Sequence, residues 1–409
     1  MDELPPGFPS LGLGHAPVPT HMAPPPPERA PPALLDEIVE EIFLRVPPDD
    51  PARLLRAALV CKHWARLLGD RGFCRRYRER HGAEGAPPLL GFLANLTHTG
   101  GSTRFFPTLA FRPAPAHRRD YRAHDARHGR VLLNRITWGG RGVAQEQDDA
   151  LAVWDPVTDE HRPLPLLPRP QQEMFAHVYS SEAAAWGEAT SAQLPGDHLD
   201  DTLPGALARN ALYFVFQAGY RMLKYDLATR KMSVIPVPQR PYGRRFGLMT
   251  MEDGRLGFAE VDSRFTLKLW SMETGPEGDA GKWAVSRAIE LRALLPTPAL
   301  GATPCVVAFA DVVGVIFLKT TDGLCTLDLK TGQSICVMTD DFYDIIPYCY
   351  EWPPQVRDQV AVLRLLDRLK RTWLYGTRSL NNIELVPEAL TTDKIQLGIL
   401  KWPRKEWRY

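Results

Sequence analysis

Residues 34 to 68 read LLDEIVEEIFLRVPPDDPARLLRAALVCKHWARLL, and their pattern sets the organisation of the whole chain. Leu34, Ile38, Ile42 and Val46 recur every fourth residue, with Leu35, Val39 and Phe43 beside them. Asp36, Glu37, Glu40, Glu41 and Arg45 fill the opposite side, so the spacing predicts a helix with a wide apolar stripe. Pro47 and Pro48 end it, because proline cannot donate to the helical ladder and restricts the residue before it. Asp50 is placed to cap a second helix with Pro51 at its first position. Leu54, Leu55, Ala58 and Leu59 give that helix its apolar face. A third segment puts Cys61, Trp64, Leu67 and Leu68 on one side and stops near Gly69. About 35 residues bury too little surface to be stable alone, so this trio must dock on the rest of the chain or on another protein.

The same residues resemble the F-box family. The pattern is carried by Leu34, Asp36-Glu37, Ile38, Glu40-Glu41-Ile42, Leu44-Arg45-Val46-Pro47, Leu54-Leu55 and Val60-Cys61-Lys62-His63-Trp64. Many family members carry proline after the first leucine, where this chain has Leu35; Pro32 stands just upstream to start the helix. The resemblance covers about a tenth of the chain. It implies a contact with the Skp-type adaptor of a cullin-based ubiquitin ligase. The residues it assigns to that contact are Leu34, Ile38, Ile42, Leu44, Pro47, Leu54, Leu55, Val60, Cys61 and Trp64.

Outward from this stretch, composition narrows the remainder. The chain has 409 residues and a formal net charge of +1, which gives no global field for nucleic acid or an anionic membrane. The opening residues lack the basic start and apolar segment of a secretory signal, and no run reaches the ~18 apolar residues of a membrane helix. The six cysteines include no C-x-x-C pair, which argues against a zinc finger or a thioredoxin-type site. Several sit in apolar runs and read as buried free thiols, which suits a reducing compartment, cytoplasmic or nuclear.

Residues 1 to 32 carry eleven prolines. Such a tract cannot bury enough apolar surface to offset ordering and is expected to be a disordered leader. The F-box region is expected over 33 to 82. Its end, Asp70 to His81, pairs Phe73 with Tyr77 at helical spacing amid five arginines. Arginines interleaved with aromatics can grip nucleic acid. The blander alternative, a basic helix face against acidic protein surface, is favoured because no nucleic-acid motif accompanies them. The run Pro87-Pro88-Leu89-Leu90-Gly91-Phe92, with Phe73, Tyr77 and His81, resembles the junction in grass-type F-box proteins.

From residue 86 to 352 the pattern becomes that of a mostly β domain. Short strands are expected at 130–134, 151–156, 211–216, 223–227, 256–261, 266–270, 312–318 and 324–329. Three units close alike: VWDPVTDEHRPLPLLP (153–168), KYDLATRKMSVIPVP (224–238) and TLDLKTGQSICVM (326–338). Each has a strand ending in an apolar-Asp pair, a threonine-bearing turn and a return strand, and aspartate there can fix the reversal by bonding local backbone. Residues 267 to 291 form a fourth copy with a longer turn. Repeats of this size predict a β-propeller, of about six blades at ~45 residues each; a β-sandwich is the competing architecture. Residues 139 to 150 and 186 to 205 are polar insertions expected as face loops. Val356, Val360, Leu363 and Leu366 suggest a helix in the tail, 353 to 409, whose role is open. The fold class is thus α+β multidomain, a small three-helix unit before a mostly β domain.

No phosphate loop, H-E-x-x-H pair or nucleophile elbow is present, and no catalytic, cofactor or metal residue is assigned. His124 and His128, with His117 near, could share a metal on a helix, but the arginines around them oppose a cation. The expected function is a non-catalytic ligase adaptor that holds an unknown substrate protein. The alternatives are a propeller enzyme, which needs titratable groups converging on one face, and a stand-alone binding scaffold.

Overall fold

The computed structural model describes residues 35–81, 87–114, 116–138, 144–166, 174–180, 183–192, 199, 204–216, 221–237, 246–273 and 282–350. The proline-rich leader, Leu34 and the tail lie outside these residues.

Four helices come first: α1 (Asp36–Leu44), α2 (Ala52–Val60), α3 (Lys62–Gly69) and α4 (Arg71–His81). Asp36 and Glu37 open α1, where acids complement the helix dipole. Pro51, not Asp50, occupies the cap position of α2; the Asp50 carboxylate instead accepts from Arg53 Nε at 3.2 Å. Cys61 is extended (φ −157°, ψ 159°), which separates α2 from α3, and its Sγ caps α3 by accepting from Trp64 N at 3.4 Å. The arginine-rich segment is a fourth helix, capped by Asp70, whose carboxylate accepts from Phe73 N at 3.0 Å. Its cations meet acids of α1: Arg76 pairs with Glu40, and Arg80 lies 3.5 Å from Glu41. Tyr77 Oη donates to Val46 O at 2.9 Å and the His81 ring donates to Leu44 O at 2.6 Å, so α4 satisfies carbonyls left over where α1 ends. The blander expectation for the basic segment is the one realised, with the acidic surface supplied by the same chain.

Five four-stranded antiparallel sheets follow. The first has β1 (Leu89–Leu96), β2 (Thr103–Pro107) and β3 (His117–Arg118). The second has β4 (Tyr121–Arg127), β5 (Arg130–Trp138), β6 (Ala144–Trp154) and β7 (His161–Pro163). Short pieces β8 (Met174–Ala176), β9 (Tyr179–Ser180), β10 (Ala185–Trp186) and β11 (Thr190–Ala192) make a nested hairpin, β8 with β11 and β9 with β10. The third sheet has β12 (Ala206–Ala208), β13 (Ala211–Val215), β14 (Arg221–Asp226) and β15 (Lys231–Pro236). The fourth has β16 (Phe246–Thr250), β17 (Leu256–Val261), β18 (Thr266–Glu273) and β19 (Lys282–Glu290). The fifth has β20 (Cys305–Ala310), β21 (Val315–Thr320), β22 (Gly323–Asp328) and β23 (Ser334–Met338). The last strand, β24 (Phe342–Cys349), returns to pair with β1 and supplies the inner edge of the first sheet.

The inner strands neighbour one another in the order β12, β16, β20, β24, β4. Between β4 and β12 the circle is bridged by Arg127 Nη2, which donates to Gly205 O at 2.9 Å. The β domain is therefore a five-bladed propeller, not a sandwich. The length-based figure of about six blades exceeds this by one, because residues 164 to 203 contribute only the nested hairpin among the described residues.

The three echoed units are the third and fourth strands of blades two, three and five. In each turn one aspartate Oδ1 accepts two successive amides: Asp155 from Val157 (2.8 Å) and Thr158 (3.2 Å), Asp226 from Ala228 (3.1 Å) and Thr229 (2.9 Å), Asp328 from Lys330 (2.7 Å) and Thr331 (2.9 Å). Four residues after each aspartate the backbone is left-handed, at Asp159 (φ 58°), Arg230 (φ 54°) and Gly332 (φ 72°). The expected local bonding is thus what reverses the chain. The fourth copy is the β18–β19 hairpin.

Closure rests on a buried polar joint. Asn95 Nδ2 donates to Ala123 O (2.7 Å) and to Asp344 Oδ2 (2.9 Å), while Asn95 Oδ1 accepts from Thr103 Oγ1 (2.6 Å). Arg122 Nη2 reaches Asp344 Oδ2 at 2.8 Å, with both side chains nearly excluded from solvent. This ties β24, β1, β2 and β4 together where the two ends of the propeller meet. Apolar packing runs on from it: Val39, Phe43, Leu54, Phe73 and Tyr77 of the helices share one cluster with Leu90, Leu93, Phe105, Tyr348 and Tyr350 of the propeller.

Three further expectations need correction. Part of the supposed loop at 139 to 150 is strand, since β6 begins at Ala144, and the end of β10 and all of β11 fall inside the supposed loop at 186 to 205. His124 lies on strand β4 and His128 in the turn after it (φ 51°), so no helical face presents the pair. Cys325 and Cys336 are bonded to each other, not free thiols: they stand directly opposite on β22 and β23, with Cα atoms 3.9 Å apart. The cysteine argument for a reducing compartment loses these two. Cys74 does fit it as a buried thiol, with its pKa raised by burial.

Candidate functional site: the exposed face of the helices

Apolar side chains left in solvent are concentrated on the helices. Leu35 (67% exposed), Ile38 (46%), Ile42 (50%), Leu59 (77%) and Val60 (65%) lie within 26 residues. Among the described residues, the other large exposed apolar ones, Leu109, Leu166, Val285, Val312 and Ile335, are spread singly over the propeller. Single ones are ordinary on any surface, whereas a concentration marks an interaction site.

Geometry explains the division. On α1, Ile38 and Ile42 lie one turn apart and face outward, while Val39, Phe43 and Leu44 turn inward. On α2, Leu54 points inward and is 1% exposed, and Leu59 and Val60 end the helix in solvent. Cys61 and Pro47 are exposed, and Leu55 and Trp64 are half-buried. Trp64 meets Phe43 edge-to-face at 5.1 Å, so it is held in place by the core and still presents part of its ring outward. Between α1 and α3, His63 Nε2 bonds Asp36 Oδ1 at 2.7 Å. Burial raises the Tyr77 phenol far above its usual pKa, so it remains a neutral donor beneath this surface.

Of the ten residues assigned by resemblance, Ile38, Ile42, Pro47, Val60 and Cys61 thus lie at the surface. Leu55 and Trp64 lie partly there. Leu44 and Leu54 are interior, shaping the face without lining it, and Leu34 falls outside the described residues. Leu35 and Leu59, not assigned, are the most exposed large apolar residues of the helices. The signal for Leu59 was its place beside Val60 at the end of α2, past the last turn that the core covers.

A family model for the F-box domain matches residues 33–76. This chain carries an F-box domain. A second model, described as "F-box protein AT5G49610-like, beta-propeller", matches residues 164–356, and by strand order the propeller behind the F-box begins earlier, at β1. Among solved structures, the WD40 domain of SCAP from fission yeast is similar at 12% identity and a TM-score of 0.26, over 56% of this chain. The chain spans 55% of that structure's length. No curated protein matches the chain.

Among the described residues, no three His, Cys, Asp or Glu are grouped to hold a metal, and no helix is long and apolar enough to cross a membrane. Titratable side chains do converge on the propeller axis, at Asp125, Arg127 and Asp311.

Proposed function

We infer that this F-box protein is the substrate-recognition subunit of a Skp-cullin-F-box ubiquitin ligase, active in the cytoplasm or nucleus. The F-box binds the Skp-type adaptor through Ile38, Ile42, Pro47, Leu55, Val60, Cys61 and Trp64, with Leu34 and the buried Leu44 and Leu54 completing the motif. The propeller holds the substrate protein. The chain performs no bond chemistry itself; it raises the local concentration of a substrate lysine at the transfer enzyme. The observation that carries this is the cluster of exposed apolar residues on a recognised F-box, with a propeller attached behind it.

The test is a pull-down of the full chain with a Skp-type adaptor and cullin, beside the double variant Ile42→Asp, Val60→Asp. Both positions are exposed, so the variant keeps its fold, to be checked by its melting curve. Binding by the intact chain and loss of at least about tenfold in the variant, a cost of about 1.4 kcal/mol or more, is expected. An intact chain that does not bind, or a folded variant that binds as tightly, overturns the assignment.

A further inference from the structure

One end of the propeller encloses a cavity of about 1210 Å³ whose walls come from all five blades. Ala126 and Arg127 end β4, Gly205 and Leu207 stand at β12, Met249 and Thr250 end β16, Asp311 follows β20, and Pro347 and Cys349 end β24. A volume above the usual ~300–1,000 Å³ of small-molecule pockets suits a segment of polypeptide.

Around Asp311 the charges in the wall do not balance. Arg127 Nε bonds Asp125 Oδ2 at 2.9 Å, and Arg127 spends Nη2 on Gly205 O. Asp311 faces neutral donors, Thr250 N and Thr250 Oγ1, each at 2.9 Å. Two carboxylates therefore share one guanidinium. Glu252 adds acid on the blade-four side of the wall, where Asp253 is already paired with Arg255, and His124 and His128 line the blade-two side. The remaining lining cations are solvent-exposed, Arg287 on the outer strand β19 and Lys330 in the turn after β22, and Arg287 already donates to Leu329 O at 2.7 Å. Burial pushes the Asp311 carboxyl up to about 6, against the pull of Arg127. Such a group gains when a cation arrives.

The geometry points to a recognition site for a cationic side chain, a lysine or arginine of the substrate protein, seated in the axial cavity with its charged head against Asp311 and Asp125. Leu248, Met249, Phe309 and Ile346 flank the acids and cover the aliphatic stem that either side chain carries. A buried pair of this kind strongly rejects a neutral or anionic side chain, because the carboxylate then stays uncompensated. This deepens the ligase assignment and rests on it for the identity of the ligand as a substrate protein.

The test uses the full chain and short capped peptides that differ at one central residue, lysine, glutamine or glutamate, with binding read by fluorescence anisotropy. The lysine peptide is expected to bind at least about tenfold tighter than the glutamine peptide. Asp311→Asn should erase that difference while leaving the pull-down of the Skp-type adaptor unchanged. Equal binding of lysine and glutamine peptides, no binding of any, or tighter binding of the glutamate peptide overturns the inference. So does a lysine preference that survives Asp311→Asn. A lysine preference together with a failed adaptor pull-down would remove the ligase assignment and leave the cationic site standing.

Discussion

The four helices and the five blades use apolar residues to different ends. Among the described residues of the blades nearly every large apolar side chain is covered, and those exposed stand singly. In the helices five exposed ones fall within 26 residues of sequence, around a small interior. The blades close on themselves, since each sheet packs against the next and the last strand completes the first sheet. The helices remain open on one side. A concentration of exposed apolar surface is costly for a chain that works alone, and the difference supports the proposal that the helices are the side that meets a partner.

That contrast can be broken at its strongest point, the joint where the propeller closes. Asp344→Ala removes the buried partner of Arg122 and an acceptor for Asn95, and should destabilise the β domain by about 3–5 kcal/mol. Urea denaturation followed by tryptophan fluorescence measures it, and adaptor binding should persist under native conditions. If Asp344→Ala leaves the urea midpoint unchanged, the joint does not hold the ring.

Leu54→Ala tests the other side. It empties a site that is 1% exposed inside the helices and should cost about 2–5 kcal/mol, by lost transfer energy and a cavity. Adaptor binding should fall through loss of fold. The exposed pair Ile42 and Val60 should behave oppositely, losing binding while the melting curve stays.

An intermediate effect is expected from Asp311. Its folded pKa, about 6, lies above the ordinary aspartate value of 3.8. The sign follows: stability from the protonated form is fully present below about pH 3.9 and is lost as pH rises through about 6, by about 2–3 kcal/mol. The groups facing it are Arg127, Asp125, Thr250 and Cys349. Asp311→Asn should therefore be more stable than the parent at pH 7.5, keep about half of that advantage at pH 5 and lose it below about pH 3.9, as differential scanning calorimetry would show. A constant difference across that range would mean that the carboxyl is not the cause.

The smallest effect belongs to the turns. Gly332 sits at φ 72° and an added Cβ would meet only Leu294 Cδ2 at an ordinary 4.0 Å, so Gly332→Ala should cost about 1 kcal/mol from backbone strain alone. Arg230→Gly, at the matching place in blade three, should be close to neutral, and a pair of thermal melts would separate the two. Equal responses at both positions would show that the two turns are not equivalent.

What the sequence made legible was local. The strand positions follow from alternating apolar runs, and the three aspartate turns from a repeated spacing of Asp and Thr. The helices follow from a four-residue period bounded by prolines. What escaped was set by distant pairing. The blade number depends on β24 joining β1, and Asp344 meets Asn95 across 249 positions. Arg127, Asp125 and Asp311 meet only because blades two and five both end at the axis. The Cys325–Cys336 bond depends on the register of one hairpin. The inward turn of Leu44 and Leu54 also lay beyond a one-dimensional stripe, because α4 and the first blade decide which side of α1 and α2 is covered.

The return of β24 to β1 also sets an order of events during synthesis. β1 leaves the ribosome early and must wait, with one backbone edge unpaired, until Phe342–Cys349 has been translated. A chain cut short anywhere before Phe342 keeps that edge open, and an open edge invites pairing with other chains. Nascent and truncated copies of this protein thus expose an edge that the completed ring covers. Premature stop codons in the fifth blade should yield aggregates, not a smaller working propeller.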